Sequence, residues 1–385
     1  MLEKALHGSE KYWGWVVALL ALIGLGFATY LLQYFQGLGV TGMSRDISWG
    51  IYISQLTYLV GVAASGVMLV LPYYLHDYKE FGKITILGEF MAVAAVMTCM
   101  LFVLVDLGQP MRLLNIFLYP TPNSILFWDA VVLNVYMLLN IVIGWTVLQA
   151  QRKDVPPPKW VKPLIYISIP WAFSIHTVTA FLYAGLPGRH FWLTAIMAPR
   201  FLASAFAAGP AILLLIAFIL RKVTGFDPGR KAIGALAKII TYAMIANVFF
   251  FLLEIFTAFY SNIPGHKHTF IYLFAGLEGH HGLVPFMWAS QFFSLVALVL
   301  LIPPRFRHNE KLLIVALASL VLGTWIDKGL GLVVGGFVPN MLEHVTEYIP
   351  TVPELIITVG VYAIGLFVLT ILFKIAVSVK QEIGG

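Results

Sequence analysis

Long hydrophobic runs separated by short polar segments dominate the pattern of this sequence. A helix rises 1.5 Å per residue, so about 20 apolar residues are needed to cross roughly 30 Å of hydrocarbon. Ten runs reach that length, and we predict an all-α integral membrane protein with ten transmembrane helices, a single polytopic membrane domain over residues 1–385. The predicted spans cover residues 13–35, 48–75, 84–107, 125–149, 164–184, 198–220, 233–260, 282–302, 311–334 and 353–378.

Similar features recur four spans apart, which indicates an internal repeat. Small residues form a patch at 62–66 in the second span and at 206–209 in the sixth. An even offset preserves orientation, so we predict two parallel four-helix bundles, spans 2 to 5 and spans 6 to 9, with spans 1 and 10 added. Chance similarity between apolar helices is the alternative. Repeat one would cover about 48–184, repeat two about 198–334, and the added helices about 13–35 and 353–378.

Composition and charge agree with this interpretation and orient the chain. Hydrophobic residues make up 60% and charged residues 11%, far from the roughly 25% charged residues of a soluble domain. Of the 24 Lys and Arg residues, 18 fall on the side of both termini and six on the other. The positive-inside rule then predicts a multi-pass protein of the cytoplasmic (inner) membrane with both termini cytoplasmic. The net charge of +6 follows from this topology and gives no support to nucleic-acid binding.

A few ionisable residues lie inside the predicted spans and gather toward the outer end. A charge in hydrocarbon costs several kcal/mol unless it is paired or hydrated, so such a group predicts a functional site within the membrane. The group comprises Asp106, Asp129, His176, Arg200, Glu254, Asp327 and Lys328.

Asp129 and His176 are the candidate catalytic residues. Asp129 follows the predicted N-cap, Asn123 or Ser124, where the helix N-terminus favours an anion and water can still reach. His176 lies well inside its span, where an imidazole can donate to a carbonyl or shuttle a proton near neutral pH. A buried histidine satisfied by a neighbouring backbone or carboxylate group is the structural alternative.

The remaining charges allow binding and structural roles alike. Asp106 and Arg112 can pair across the turn that closes the third span. Arg200 can hold a carboxylate, a quinone oxygen or a lipid head group. Glu89, Glu254 and Asp327 are candidate stations of a proton path, although Asp327 and Lys328 could also neutralise one another or nearby helices.

Metal and haem chemistry find little support in the sequence. A single cysteine, Cys99, excludes an internal disulfide, a Cys-ligated iron–sulfur cluster and covalent haem attachment. Only His176 lies well inside a span, so a bis-histidine haem is not expected, and we predict no metal site in the histidine-bearing outer loops. If electrons pass through this protein, a partner subunit or a diffusible carrier would therefore have to hold them. The longer outer loops, 261–281 and 335–351, favour a soluble partner on the outer side.

Four segments, residues 39–50, 106–110, 124–129 and 199–209, together resemble the NrfD/PsrC family of membrane quinone-interacting subunits. Within that family, the chain is most similar to the ten-helix subunit of the DsrMKJOP complex of sulfur-metabolising prokaryotes, with a hydrogenase membrane subunit as a relative. The resemblance covers nearly the whole chain. It implies two four-helix bundles, no haem or iron–sulfur cluster in this chain, and a quinone site near the outer face.

The resemblance also implies roles for individual residues. The quinone head group would lie near Asp106, Asp129, His176 and Arg200, with Arg112 at the rim and Trp49 and Trp128 as walls.

The expected function is that of a quinone-interacting subunit in a quinone oxidoreductase complex, not active alone. It would exchange electrons between menaquinone or menaquinol, an exchangeable cofactor, and an outer-face, ferredoxin-like iron–sulfur subunit. Further membrane and cytochrome subunits and the lipid bilayer would be its other partners, in sulfur metabolism or sulfate respiration. A secondary transporter, ion channel or proton-conducting subunit is the alternative function, since a repeated bundle with acidic residues inside its spans also suits ion coupling.

Overall fold

The computed structural model describes residues 1–384, which contain no β-strand and fold mainly into helices. Ten helices of this part of the chain are long and apolar enough to cross a membrane, as predicted. We number them α1 to α10: Glu10–Gln36, Ile51–Leu75, Thr85–Asp106, Ile125–Arg152, Val161–Ala184, Met197–Thr224, Arg230–Ser261, Val284–Leu301, Glu310–Phe337 and Val352–Glu382.

Each predicted span coincides with one of these helices, and the differences lie at the ends. The helices α7 and α10 extend beyond their predicted bounds through charged residues, because a helix end that has reached water needs no apolar side chains. The segment 261–281 was predicted as an outer loop, and that prediction missed the helix Pro264–Phe274 within it. This helix begins with Pro264 at its first turn, a favoured position, but at 11 residues it is too short for a span.

Both chain ends lie at one end of the helices, where Lys4 forms an ion pair with Glu382. We call this end the terminal face and the other end the opposite face. The terminal face contains the connections 76–84, 153–160, 225–229 and 302–309. The opposite face contains the connections 37–50, 107–124, 185–196, 262–283 and 338–351.

The helix contacts form two closed rings of four. In the first bundle α2 packs on α3, α3 on α4, α4 on α5, and α5 returns to α2. In the second bundle α6, α7, α8 and α9 pack in the same cyclic order. The bundles meet where α2 contacts α6 and α9 and where α5 contacts α6, while α1 and α10 pair beside α3. This arrangement agrees with the predicted grouping of spans; the internal repeat itself stays a prediction.

The two predicted small-residue patches pack against one another at the contact between the bundles. A side chain added to Gly209 of α6 would meet the backbone of α2, with its Cβ 2.9 Å from Ser65 N and 3.0 Å from Gly61 O. Only a residue without a side chain lets the two backbones approach this closely. Gly209 therefore allows the short distance between the bundles at this contact.

Two of the ten helices are irregular, which the hydrophobic pattern does not predict. Helix α2 is interrupted at Ala64, Ser65 and Gly66, between the segments Ile51–Ala63 and Val67–Leu75. Helix α9 changes from an α-helix into the π-helix Ile326–Val334. Such interruptions are tolerated at membrane depth where they are buried in protein, and π-helical turns often occur at functional sites.

We predict that the α1–α10 pair depends on a glycine contact. A Cβ on Gly26 would lie 2.6 Å from the Cα of Gly360, whereas a Cβ on Gly24 would meet nothing within 4 Å. Gly26→Ala should therefore lower the free energy of unfolding by about 1–3 kcal/mol relative to Gly24→Ala. Thermal unfolding in detergent checks this, and equal Tm values for the two variants would contradict it.

Candidate functional site

Asp129 joins α4 to α5 near the opposite face. Ser124 precedes α4 as its N-cap, though its side chain makes no capping hydrogen bond, and Asp129 follows in the second turn. The Asp129 side chain is buried, and Thr179 Oγ1 donates a hydrogen bond to its Oδ1 at 2.6 Å. One buried carboxylate oxygen is thus bound to a neighbouring helix close to a helix N-terminus, where negative charge is favoured.

His176 lies one turn from Thr179 on α5 and is fully buried. Neither of its ring nitrogens has a hydrogen-bond partner among the described residues. Its ring meets the edge of Phe206 of α6, with the ring centroids 6.2 Å apart. Buried polar groups are almost always hydrogen-bonded, and one left unpaired costs about 1–3 kcal/mol. His176 is therefore able to bind a ligand or water without giving up an existing contact.

Lys328 approaches this histidine from the second bundle. It is the third residue of the π-helical part of α9, is 4% exposed, and donates to Ser204 Oγ at 3.1 Å. Its ammonium group lies 4.1 Å from the centroid of the Phe201 ring and close enough to His176 for an electrostatic interaction. An ammonium group has three donors, and one hydrogen bond is made here. The sequence placed Lys328 among the membrane charges but gave it no role in binding.

Arg200 is fully engaged by two carboxylates of the second bundle. It forms an ion pair with Glu254 of α7, and its Nη2 lies 2.8 Å from both carboxylate oxygens of Asp327. The guanidinium also lies over the Phe251 ring, 5.2 Å from its centroid. With Lys328 included, the second bundle holds two positive and two negative side chains. The charges of these four side chains therefore cancel. This geometry favours the structural role of Arg200, Glu254 and Asp327.

An aromatic cluster closes the first bundle toward the opposite face. Trp49 stacks on Trp192 with ring centroids 5.9 Å apart, and Tyr183 and Phe337 meet these rings edge-on. The indole of Trp192 donates to Leu332 O at 2.8 Å, which fixes the connection 185–196 to α9. Trp49 thus belongs to this aromatic cluster, and its role as a wall of the quinone site stays a prediction; Trp192 was not identified from the sequence.

Asp106 faces a second acidic residue that the sequence analysis missed, Glu354. Its Oδ1 is buried without a partner among the described residues, and it lies near enough to Glu354 for an electrostatic interaction. Glu354 is fully buried and accepts hydrogen bonds from Gly42 N at 2.7 Å, Thr351 N at 2.8 Å and Tyr348 Oη at 2.7 Å. These bonds anchor the connection 37–50, which leads to Trp49.

Three predicted site residues are not brought to this group. Trp128 is 46% exposed and donates to Pro122 O at 2.8 Å. Arg112 is exposed, and the ion pair with Asp106 that the sequence allowed does not form among residues 1–384. Glu89 lies on α3 near the terminal face. Spacing along the chain did not determine which way these side chains point.

Two histidines of the opposite-face connections pair with carboxylates. His268 Nδ1 lies 2.7 Å from Glu343 Oε2, and His280 Nδ1 lies 3.4 Å from Glu347 Oε2. Burial raises the pKa of Glu347, but the hydrogen bond from Gly282 N and the neighbouring His280 outweigh it and lower that pKa below its ordinary value. Among the described residues, no group of three or more possible metal ligands occurs. These pairs connect the helix Pro264–Phe274 and the loop 275–283 to the loop 338–351.

The chain is similar in sequence to several proteins named as membrane subunits of reductases or oxidoreductases. The sequence model described as "Polysulphide reductase, NrfD" matches residues 39–338. The chain is similar to a Halobacterium salinarum protein named as a membrane subunit of dimethyl sulfoxide reductase, with 27% identity over 91% of this chain and 88% of the relative.

Two further relatives have names that include a quinone. The "Hdr-like menaquinol oxidoreductase integral membrane subunit" of Archaeoglobus fulgidus is 25% identical over 65% of this chain and 62% of the relative. The "Menaquinone reductase, integral membrane subunit" of Nitratidesulfovibrio vulgaris is 21% identical over 97% of this chain and 93% of the relative.

We predict that Arg200→Leu destabilises the protein strongly, because it leaves Glu254 and Asp327 as unpaired buried carboxylates. Breaking a buried ion pair by removing one partner costs about 3–5 kcal/mol. The exposed Arg112→Leu is the matched control and should keep the wild-type Tm in detergent. A Tm of Arg200→Leu equal to that of the control would show that the three residues do not stabilise the second bundle.

Proposed function

Since this chain belongs to the NrfD family, we propose that it is the quinone-interacting membrane subunit of a respiratory redox complex, binding menaquinone or menaquinol in the half of the membrane nearer the opposite face. His176, Asp129 and Lys328 form the core of the proposed head-group site. The family membership supports a role in such complexes. The relatives named for menaquinol and menaquinone support the choice of quinone.

The observation that carries this proposal is the unsatisfied, fully buried imidazole of His176. Both its nitrogens lack partners among the described residues, Lys328 makes one hydrogen bond, and Asp129 has one oxygen held by Thr179. A quinone ring has two carbonyl oxygens, and donors at His176 and Lys328 suit them. The side chains of Phe206 and Phe201 supply an apolar surface beside these donors.

Reduction of a quinone consumes two electrons and two protons, and oxidation of a quinol releases them. His176 and Asp129 can each hold or release a proton, so we assign them the proton transfers at the two oxygens. Lys328 would orient the ring by donating to one of these oxygens. Trp49, near the opposite face, would cover the site. Asp106 and Arg200 would not contact the head group: Asp106 lies beside Glu354, and Arg200 would hold α6, α7 and α9 together.

The proposed orientation places the terminal face in the cytoplasm and the opposite face outside. The excess of Lys and Arg on the connections of the terminal face supports it. With one cysteine in the sequence, the chain cannot supply the ligands of an iron–sulfur cluster. We propose that a ferredoxin-like iron–sulfur subunit docks on the opposite face and exchanges electrons with the quinone, within a complex of sulfur metabolism of the DsrMKJOP type.

His176→Leu and Asp129→Asn should each weaken binding of a menaquinol analogue to the purified complex at least 10-fold, because each removes a polar partner of the head group. Fluorescence titration with the analogue measures the affinity. His308→Leu and Asp77→Asn, two exposed positions on the terminal face, are the matched controls and should bind as the wild type does. Wild-type affinity in both site variants, with normal thermal unfolding, would remove these residues from the site.

The substitution Lys328→Met distinguishes a role of Lys328 in quinone binding from a role in balancing the buried charges. If Lys328 donates to the quinone, analogue affinity should fall about 10-fold, the effect expected when a hydrogen bond from a charged group is lost. If Lys328 only balances Glu254 and Asp327, the Tm should fall while the affinity stays at the wild-type value. The second result would overturn its assignment to the site.

A further inference from the structure

The fully buried carboxylate of Glu354 joins the start of α10 to the connection 37–50. Its Oε2 accepts hydrogen bonds from Thr351 N at 2.8 Å and from Gly42 N at 2.7 Å. The bond from Thr351 belongs to a capping box, since Thr351 Oγ1 in turn accepts from Glu354 N at 3.5 Å. The bond from Gly42 has no part in a capping box. It ties α10 to a distant segment of the chain.

The other oxygen of Glu354 reaches the start of α2 through a tyrosine. Tyr348 Oη donates to Glu354 Oε1 at 2.7 Å and accepts a hydrogen bond from Ile51 N at 2.9 Å. Ile51 is the first residue of α2, so its N–H has no acceptor within its own helix. Glu354 thus holds Gly42 directly and Ile51 through Tyr348. We call Glu354 and Tyr348 the clamp and residues 42–51 the clamped segment.

The ring of Tyr348 packs directly against the clamped segment. A Cβ on Gly50 would lie 2.6 Å from Tyr348 Oη, so only a residue without a side chain fits there. Tyr348 is 8% exposed, and the residues on either side of the segment's turn, Gly50 and Ile47, are also buried. Because Gly50 follows Trp49, the position of the Tyr348 ring sets the position of the Trp49 backbone.

Trp49 connects the clamped segment to the proposed quinone site. Its ring centroid lies 5.5 Å from that of Tyr183 on α5, and the Tyr183 ring lies 5.9 Å from that of Phe201, which also contacts Lys328. Tyr183 follows His176 by seven residues on the same face of α5, about 10 Å nearer the opposite face. Trp49 therefore lies on the opposite-face side of the residues to which we assign the head group.

We propose that Glu354 and Tyr348 are positioning residues of the quinone site, which hold both ends of the clamped segment and thereby keep Trp49 over the head group. This inference rests on the proposed function, because it needs a head group beneath Trp49. With the clamp intact, a bound quinone leaves slowly past Trp49. With the clamp broken, Trp49 moves away more often and the quinone leaves faster. Helix α10, which belongs to neither bundle, thus contributes to the site without contacting the quinone.

The competing explanation is that Glu354 only caps α10. A cap requires the bond from Thr351 N, and it gives no reason for the bonds that Glu354 accepts from Gly42 N and from Tyr348. Those two bonds place the carboxylate between the two ends of the clamped segment. The cap and the clamp can therefore be broken separately.

The middle of the clamped segment has an anchor of its own. The carboxylate of Asp46 accepts from Asn340 Nδ2 at 3.3 Å and from Thr346 Oγ1 at 3.2 Å. These bonds are longer than those of the clamp, and Asp46 lies three residues from Trp49, whereas the clamp holds Ile51 and contacts Gly50. Loss of the clamp should therefore loosen Trp49 without releasing the whole connection.

Two substitutions break the clamp and leave the cap of α10 in place. Tyr348→Phe removes the hydroxyl. Glu354→Gln keeps an oxygen for Thr351 N and Gly42 N, as glutamine does in a capping box, but its amide N–H₂ cannot accept from Tyr348. Each variant should raise the dissociation rate constant of a fluorescent quinoline N-oxide analogue of menaquinol from the complete complex about fivefold, without lowering the association rate constant. Stopped-flow fluorescence measures both constants.

Tyr362→Phe is the matched control for these variants. It also lies on α10 and loses a tyrosine hydrogen bond, to Gln55 Oε1 at 2.6 Å, but it does not touch the clamped segment. It should keep both wild-type rate constants. A variant that is only less stable binds less analogue with unchanged rate constants, so wild-type rate constants in both clamp variants would overturn the proposal.

A double-variant cycle tests whether the clamp acts through Trp49. Trp49→Leu alone should raise the dissociation rate constant of the analogue, because the cover is lost. Adding Tyr348→Phe to Trp49→Leu should then change this constant less than twofold. Independent effects multiply, so a further fivefold rise in the double variant would overturn the proposal.

Hydrogen–deuterium exchange tests the clamp without a quinone. Peptides that cover residues 42–51 should exchange at least fivefold faster in Tyr348→Phe than in the wild-type complex, and at the wild-type rate in Tyr362→Phe. Unchanged exchange in Tyr348→Phe would overturn the clamp even if the analogue binds. Faster exchange without analogue binding by the wild-type complex would support the clamp on Trp49 and reject the proposed function.

Discussion

Every ionisable group among these apolar helices has to be paired, hydrogen-bonded or hydrated, because its charge is costly in a medium without water. The structure meets this requirement in two ways. Arg200 holds Glu254 and Asp327, and three donors satisfy Glu354. His176 has no partner at either ring nitrogen, and Glu89, Asp106 and Glu254 each keep one carboxylate oxygen without a partner among the described residues. The ion pairs and hydrogen bonds hold helices and connections together, and His176 is where we infer that the quinone binds.

Close backbone contact between α2 and α6 brings side chains of the two bundles together. The small-residue patches of α2 and α6 meet directly, so Lys328 of the second bundle can approach His176 of the first. The proposed quinone site is therefore built by both bundles, with the proton-transferring side chains on one and the orienting charge on the other. The gap in α2 lies on the same interface and faces the polar side chains of α4. The close contact between α2 and α6 thus sets the distance between the bundles and also brings polar side chains together at their interface.

The sequence predicted the spans well, because the length of an apolar run is set by membrane thickness and can be counted. It also placed Asp129 and His176 inside their spans and identified the small patches as sites of close packing. It expected water to reach Asp129, which is only 4% exposed because α5 packs over it. It could not predict that Arg200 binds Glu254 and Asp327, since partners 54 and 127 positions away depend on how helices are arranged. The direction of Trp128 toward the surface and the helix Pro264–Phe274 were missed for the same reason: neither follows from local hydrophobicity.

The central claim is that unpaired polar groups of both bundles receive a quinone ring near the opposite face. A density map of the purified complex prepared with menaquinone tests it most directly. The account predicts a planar ring in contact with His176, with Lys328 and Asp129 within hydrogen-bond distance of it or of a bridging water. A ring bound elsewhere, with His176 enclosed by protein atoms on all sides, would contradict the account.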